Sequence, residues 1–225
     1  MPEGRLTSIN PQEVLLYLGW KGGEPEDSLL SDIEGCARLV RSSARPGVIW
    51  RRFRVEDGCH IAGTSLTLEG EDIRRHLEGC EEAILMAATL GPGVESALML
   101  MEVMDMAKAL IMDSCASTAI ENVCDNLESE LREMVEKEGL FLTDRFSPGY
   151  GDLPIGQPRS FCEVLNTQRR MGLAVSGSGI MIPRKSVTAI LGISPTPRKR
   201  RSSGCANCNM FYRCEIRKCG KYCGK

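Results

Sequence analysis

Apolar residues recur at helical spacing near the start of the chain, and this pattern predicts two helices. The first begins at Pro11 with Asn10 as its cap, and it ends at Gly19. The second is followed by Arg45-Pro46-Gly47, which ends it. Its apolar positions are Leu29, Leu30, Ile33, Cys36, Ala37 and Val40.

A long stretch from Val94 to Lys137 contains neither glycine nor proline and predicts further helix. Its second half places apolar residues on one face: Ile120, Val123, Cys124, Leu127, Leu131 and Met134. The part from Ala97 to Met112 is apolar on nearly every side, which predicts a helix through the centre of the protein. The pattern fits either one helix or two helices separated by a kink.

Runs typical of strands occupy much of the rest of the chain. Two of them, Val48–Val55 and Ile61–Leu68, flank a turn at Asp57-Gly58. Ala83–Thr89 predicts a buried strand. Further strands are predicted over 141–144 and 187–193, and short helices over 70–76 and 159–170. Together these elements predict an α+β fold in which an antiparallel sheet packs against long helices.

Charge and cysteine divide the chain into two parts. The net charge is −2, but residues 195–225 carry +8, so residues 1–194 carry −10. Six of the eleven cysteines lie among apolar neighbours in residues 1–194, where we expect them to be small core residues with free thiols. We expect a domain over 1–194 followed by a basic, cysteine-rich tail. With no secretory signal and no apolar run of membrane length, the expected location is the cytoplasm, without a membrane partner.

The segment from Asp144 to Pro154 predicts a rigid irregular loop. Two prolines and two glycines within seven residues restrict its path while letting a ligand approach the backbone. Arg145 presents a planar set of donors that suits a carboxylate, and Tyr150 presents a flat face and a hydroxyl. These groups suit a small zwitterionic ligand. The alternative is a structural turn whose arginine makes an ion pair at the surface.

The same segment resembles the Arg-Pro-x-Pro-Gly-Tyr motif of the activation domain of cobalamin-dependent methionine synthase. Downstream, Met171-Gly172, Val175-Ser176-Gly177-Ser178 and Met181 to Val187 are similar to the end of that domain. Phe146 and Gly151-Asp152 depart from the family, which has proline and Pro-Ala there. The resemblance is strongest over 140–193 and does not cover the tail.

This resemblance implies a curved antiparallel sheet with long helices, and a groove that binds S-adenosylmethionine. Arg145 would hold the methionine carboxylate, and Glu121 is the candidate for the family's acidic helical residue near the ligand. The rest of the implied groove is formed by Ser147, Pro148, Gly149 and Tyr150. The domain would present the ligand to an oxidised cobalamin that another domain holds, so that a one-electron reduction and methyl transfer restore methylcobalamin.

The chain lacks the Asp-x-His-x-x-Gly motif with which methionine synthase ligates cobalt. It is also short for the homocysteine, folate and cobalamin modules of that enzyme. We therefore expect a component of methyltransferase activity that acts in trans, with the cobalamin carried by a partner. That partner would be a methionine synthase or another corrinoid protein, and flavodoxin or ferredoxin are the candidate electron donors.

Five cysteines in the last 21 residues indicate a metal site in the tail. They are Cys205, Cys208, Cys214, Cys219 and Cys223. Thiolates suit zinc or a [4Fe–4S] cluster, and the spacing does not distinguish these two. A cluster could relay an electron to the corrinoid, whereas zinc would have a structural role.

Two other functions compete with reactivation. The chain could be a non-catalytic adaptor that keeps the fold but does not bind S-adenosylmethionine. It could also bind nucleic acid through Arg198-Lys199-Arg200-Arg201 beside the cysteines. The acidic charge of residues 1–194 argues against nucleic acid as the main partner.

Overall fold

The computed structural model of the protein describes residues 2–20 and 22–197. Five helices lie in the first two thirds of this chain and two short ones follow. They are α1 (Pro11–Tyr17), α2 (Asp27–Ser43), α3 (Glu71–Leu77), α4 (Pro92–Met104), α5 (Met106–Glu136), α6 (Pro158–Leu165) and α7 (Thr167–Met171). The predicted cap of the first helix is confirmed, because the Asn10 side chain accepts a hydrogen bond from the backbone N–H of Gln12 at 3.0 Å.

Five strands form the main sheet, and all of their pairings are antiparallel. They are β1 (Gly47–Glu56), β2 (His60–Ile61), β3 (Glu82–Thr89), β4 (Phe141–Leu142) and β7 (Ser186–Ser194), in the order β2-β1-β3-β7-β4. A separate hairpin pairs β5 (Ala174–Val175) with β6 (Met181–Ile182). The predicted α+β fold with an antiparallel sheet and long helices is confirmed.

The sheet separates two apolar cores, so the domain has three layers. Alternate residues of β3 face opposite sides: Ile84 and Met86 face the core formed with α1, α2, α4 and α5, while Ala83 and Leu85 face the core formed with α3, α6 and α7. Because both faces of β3 are covered, its sequence is continuously apolar rather than alternating.

The long apolar stretch is two helices, and Asp105 separates them. Asp105 has an extended backbone, and its side chain accepts hydrogen bonds from Ala107 and Lys108 N–H, both at 3.1 Å, as the N-cap of α5. The expected central position of residues 97–112 is wrong. Only one side of α4 is buried, through Val94 and Leu98, and its outer side is exposed.

Two other expectations from the pattern need correction, and one hairpin was missed. The run 61–68 belongs to a strand only at its first residue, where β2 ends. In the turns that follow, the Thr64 hydroxyl accepts a hydrogen bond from the Leu66 N–H. The helix expected over 159–170 is broken at Asn166, which adopts φ 54° and separates α6 from α7. The hairpin of β5 and β6 was not predicted, because its two-residue strands are too short to show a period.

Across the described residues, no helix has the length and apolar character that crossing a membrane requires.

Candidate functional site

The loop predicted from residues 144–154 is anchored to the sheet by Phe146. Its N–H and C=O exchange hydrogen bonds of 2.9 Å with Ile190 of β7, and its side chain is fully buried. The Phe146 ring packs against His76, with 5.0 Å between ring centroids, and against Tyr150 at 6.1 Å. An aromatic residue at this position therefore attaches the loop to the β7 edge and to α3.

Beyond Phe146 the chain makes a tight turn. Tyr150 N–H donates to the Ser147 carbonyl at 2.9 Å, and Gly149 N–H donates to the Leu153 carbonyl at 2.9 Å. Gly149 and Gly151 have φ of 93° and 54°, which side chains rarely tolerate. A Cβ on Gly151 would also collide with the Asp72 carboxylate. Glycine is thus required at the points where the turn reverses.

Asp152 holds the far side of this turn against the start of α3. Its carboxylate accepts hydrogen bonds from the N–H groups of Glu71 at 2.7 Å and Asp72 at 3.0 Å. These backbone hydrogen bonds lower the pKa of Asp152, the bond from Glu71 contributing most. Asp152 is therefore a structural cap and not a free ligand group.

Arg145 points away from the turn and meets a column of carboxylates on α5. Its Nη2 lies 2.6 Å from Asp125 Oδ1 and 3.3 Å from Glu121 Oε2, and its Nε lies 3.0 Å from Glu128 Oε2. Residues 121, 125 and 128 are spaced i, i+4 and i+7, so they share one helix face. We call Arg145, Glu121, Asp125 and Glu128 the Arg145 cluster. With one guanidinium and three carboxylates, its formal charge is −2 when all are ionised.

Burial and charge shift the pKa values within the cluster. Burial raises the pKa of Glu121, while Arg145 acts to lower it. Burial acts to lower the pKa of Arg145, but Cys124 and the three carboxylates outweigh it and raise that pKa above its usual value. Burial also raises the pKa of Cys124 to about 12, so Cys124 is a thiol at neutral pH. The guanidinium therefore stays charged, whereas Glu121 takes up a proton at a higher pH than an unperturbed glutamate does.

Two tyrosines stand beside the Arg145 cluster. Tyr17, at the end of α1, is 54% exposed, and Tyr150, on the turn, is 52% exposed. Burial of part of the Tyr17 ring raises the pKa of Tyr17 to about 12, and the negative charge of Glu121 is the second largest cause. Tyr150, Glu13 and Asp125 act in the same direction. The Tyr17 phenol is therefore neutral at pH 7, and both tyrosine rings are partly exposed beside the Arg145 cluster.

The structure brings the predicted residues Glu121 and Arg145 into contact, and it places Ser147, Pro148, Gly149 and Tyr150 on the adjoining turn. Their roles in ligand binding stay predictions. Sequence reasoning missed three members of the site: Tyr17, Asp125 and Glu128. The i, i+4, i+7 spacing of acids could have identified the two carboxylates. Nothing local marks Tyr17, because α1 reaches the site only through the tertiary fold.

The cysteines that the structure describes are small core residues, as expected. All six cysteines of residues 1–194 are buried and have free thiols. Within the described part of the chain, no three His, Cys, Asp or Glu side chains are placed to hold a metal ion. The proposed ligands Cys205, Cys208, Cys214, Cys219 and Cys223 lie outside the described residues, so the metal site stays a prediction.

Two cavities lie away from the Arg145 cluster. One of about 300 Å³ is lined by residues of α6, α7 and β5, among them Cys162 and Asn166. The other, of about 620 Å³, lies between residues 2–6 and the region from Arg41 to Val48. The residues that line these two cavities do not include the 145–154 loop, so neither cavity extends the candidate site.

Comparison with known proteins bears on the fold. No protein-family model matches the sequence, and no curated protein matches it either. Among solved structures, the chain is similar to the crystal structure of the MetH reactivation domain bound to AdoHcy, with a TM-score of 0.58 and 14% identity. The match covers 93% of this chain and 81% of that chain. At this identity the similarity shows a common fold.

Proposed function

We propose that this protein binds S-adenosylmethionine and reactivates a cobalamin-dependent methyltransferase in trans. The observation that carries the proposal is the Arg145 cluster beside the rigid 147–153 turn, in a fold shared with a domain whose structure contains AdoHcy. The motif from Arg145 to Tyr150 is also the part of the sequence that most resembles the activation domain of methionine synthase.

The charges of the cluster suit an amino acid zwitterion. A ligand carboxylate can take the place of Asp125 on the Arg145 guanidinium, and the ligand ammonium can pair with the Asp125 carboxylate that this exchange releases. Because the ligand carboxylate replaces Asp125 on Arg145 and the ligand ammonium pairs with Asp125, the exchange adds no unpaired charge to the half-buried site. Arg145 is thereby the residue that orients the methionine end of the ligand.

The remaining charge and the two tyrosines suit the sulfonium. The cluster has a formal charge of −2, and the faces of Tyr17 and Tyr150 can accept a cation at close range. S-adenosylmethionine carries a net positive charge, whereas AdoHcy lacks the sulfonium charge. The site should therefore prefer the methyl donor over its demethylated product, which favours release after methyl transfer.

The chemistry itself belongs to the bound groups. When bound, S-adenosylmethionine supplies a methyl cation to a corrinoid that has been reduced on the partner protein, and AdoHcy leaves. The residues of this chain bind and orient the donor. The partner is a corrinoid-carrying methionine synthase or a related methyltransferase, and the electron comes from a flavodoxin, a ferredoxin or a metal cluster in the cysteine-rich tail.

The binding step can be tested by calorimetric titration of the full-length protein with S-adenosylmethionine. We expect Arg145→Ala to weaken binding at least about 100-fold, because it removes a charge-assisted contact to the ligand carboxylate. Arg52→Ala is a matched control, since Arg52 is also a half-buried arginine that bridges two carboxylates, Glu82 and Glu138, in a different part of the sheet. Equal affinity of the wild type and Arg145→Ala would remove Arg145 from the site.

The same titration addresses the adaptor function, which one observation favours. Two of the guanidinium nitrogens of Arg145 already contact carboxylates of the chain itself. If these intramolecular pairs persist in solution, the ligand carboxylate has no binding partner. A flat titration of the metal-loaded wild-type protein would support an adaptor that retains the fold without the ligand.

A further inference from the structure

The outer face of α4 and the first turns of α5 form an exposed apolar surface. It comprises Met99, Leu100, Val103, Met104, Met106 and Leu110, which are between 57% and 86% exposed. We call these six residues the elbow surface. Among them, Val103 is 86% exposed although it is a β-branched apolar residue.

The residues of this surface are contiguous because of their spacing. On α4, residues 99 and 103, and residues 100 and 104, are separated by four positions and lie above one another. On α5, residues 106 and 110 have the same relation. The single residue Asp105 joins the two helices, so both stripes meet at the bend.

The apolar stripe on α4 lies opposite the face that packs into the core. Val94 and Leu98 contact the core, whereas 99, 100, 103 and 104 project from the other side. A helix that is apolar on all sides is normally covered on all sides. The sequence of α4 therefore corresponds to a helix with a second contact, which residues 2–20 and 22–197 do not provide.

We propose that the elbow surface is the interface of a homodimer. Six residues of this size and exposure present on the order of 800 Å² of surface, which is about what each partner contributes to a stable protein interface. It exceeds the roughly 300–600 Å² of the largest apolar patch on a typical monomer.

The charges around the surface are compatible with a second copy of the same chain. In a two-fold dimer each patch meets itself, so an unpaired charge at its centre would face an identical charge. The two acids within the bend are already held in the chain: Asp105 caps α5, and Glu102 lies 3.7 Å from Arg184. Methionine side chains are flexible and can adjust to a copy of the same surface.

The oligomeric state of the full-length protein tests this proposal. Sedimentation at roughly 10 to 200 µM is expected to give twice the chain mass of 24.7 kDa. Val103→Glu should shift the protein to the mass of a single chain, with its dissociation constant raised at least about 100-fold, because each copy would bury a carboxylate without a partner. Met106→Lys, on the neighbouring helix, should have the same effect.

Ile155→Glu is the matched control, because Ile155 is also an apolar residue of the surface, 79% exposed, and lies on the loop before α6. This variant should remain a dimer, and the thermal midpoints of all three variants should show that they are folded. A wild type that sediments as a single chain at 200 µM would overturn the proposal. So would a dimer that survives Val103→Glu and Met106→Lys, or one that Ile155→Glu also disrupts. The test is independent of whether S-adenosylmethionine binds.

Discussion

At the scale of single residues, the environment of Glu121 decides its chemistry. Its pKa is raised by burial, and Arg145, which it shares with Asp125 and Glu128, only partly offsets that effect. A carboxyl group whose pKa is raised on folding binds more protons in the folded state. The contribution of Glu121 to the stability of the fold is therefore most favourable at pH values below its pKa in the unfolded chain. It becomes less favourable as the pH rises through its pKa in the folded chain.

This argument gives a prediction for Glu121→Gln. At pH 7 to 8 the substitution should leave the free energy of unfolding unchanged or increase it by at most about 0.5 kcal/mol, because the Glu121 side chain is 38% exposed and water screens the charge. Any such gain should disappear as the pH falls towards the unfolded pKa. Urea unfolding at several pH values measures it, and a loss of several kcal/mol at pH 7 would contradict the predicted excess of negative charge.

The same substitution should reduce the preference for S-adenosylmethionine over AdoHcy, since it removes one of the negative charges near the sulfonium. For the wild-type protein, this preference should also decrease as the pH falls and Glu121 takes up a proton. Calorimetric titrations with the two ligands at two pH values measure the ratio. A ratio that is the same in the wild type and in Glu121→Gln would place the sulfonium away from Glu121.

At the scale of secondary structure, Asp105 determines where α4 ends and α5 begins. Its side chain accepts from two N–H groups that have no partner inside the helix. Asp105→Ala should destabilise the protein by about 1 kcal/mol, as is typical for the loss of an N-cap. Asp105→Ser retains a capping oxygen and should cost only a few tenths of a kcal/mol. Denaturant unfolding distinguishes the two, and equal losses would mean that the cap does not stabilise the bend.

The helix bend also links the fold to the proposed interface. Because Asp105 alone joins the two helices, the backbone at this residue sets how the exposed apolar residues of α4 and α5 lie relative to one another. The predicted loss of the cap in Asp105→Ala should therefore weaken self-association as well as stability, whereas Asp105→Ser should preserve both.

At the scale of the whole molecule, the acidic domain and the basic tail should act separately. We predict that deletion of residues 198–225 removes bound metal but leaves S-adenosylmethionine binding within about twofold of the full-length value, because the candidate site is formed within residues 13–154. Metal analysis and titration of both forms measure this. Loss of ligand binding on deletion would show that the tail completes the site.

A visible spectrum would separate the two roles considered for the metal predicted in the tail. An iron–sulfur cluster should give the anaerobically purified protein a broad absorbance near roughly 400 nm, which the deletion removes. Zinc would leave the spectrum featureless in this region. In that case an electron relay through the tail is excluded, and the electron must come from a separate donor protein.

Much of the fold could be predicted from the sequence because it depends on local patterns. The periodicity of α2 and α5, the cap at Asn10, and the continuous apolar run of β3 each reflect the surroundings of one element. The same is true of the six buried cysteines in the domain. The run after Ile61 was harder, because it shows apolar alternation but turns back on its own start. There Thr67 forms only an isolated bridge with His60, and the Thr64 hydroxyl accepts a hydrogen bond from the Leu66 N–H.

By itself, the sequence determined the α+β class, the opposite net charges of residues 1–194 and 195–225, and the tight turn that follows Arg145. Each follows from the composition or spacing of neighbouring residues. Only the tertiary structure decided that three carboxylates of α5 contact that arginine, that Tyr17 of α1 lies near two of them, and that the apolar α4 lies at the surface rather than in the centre. These features depend on which elements pack together, because Asp125 lies 20 residues from Arg145 in the sequence and Tyr17 is on the first helix. The local period of a helix records that a face is apolar but not what covers it.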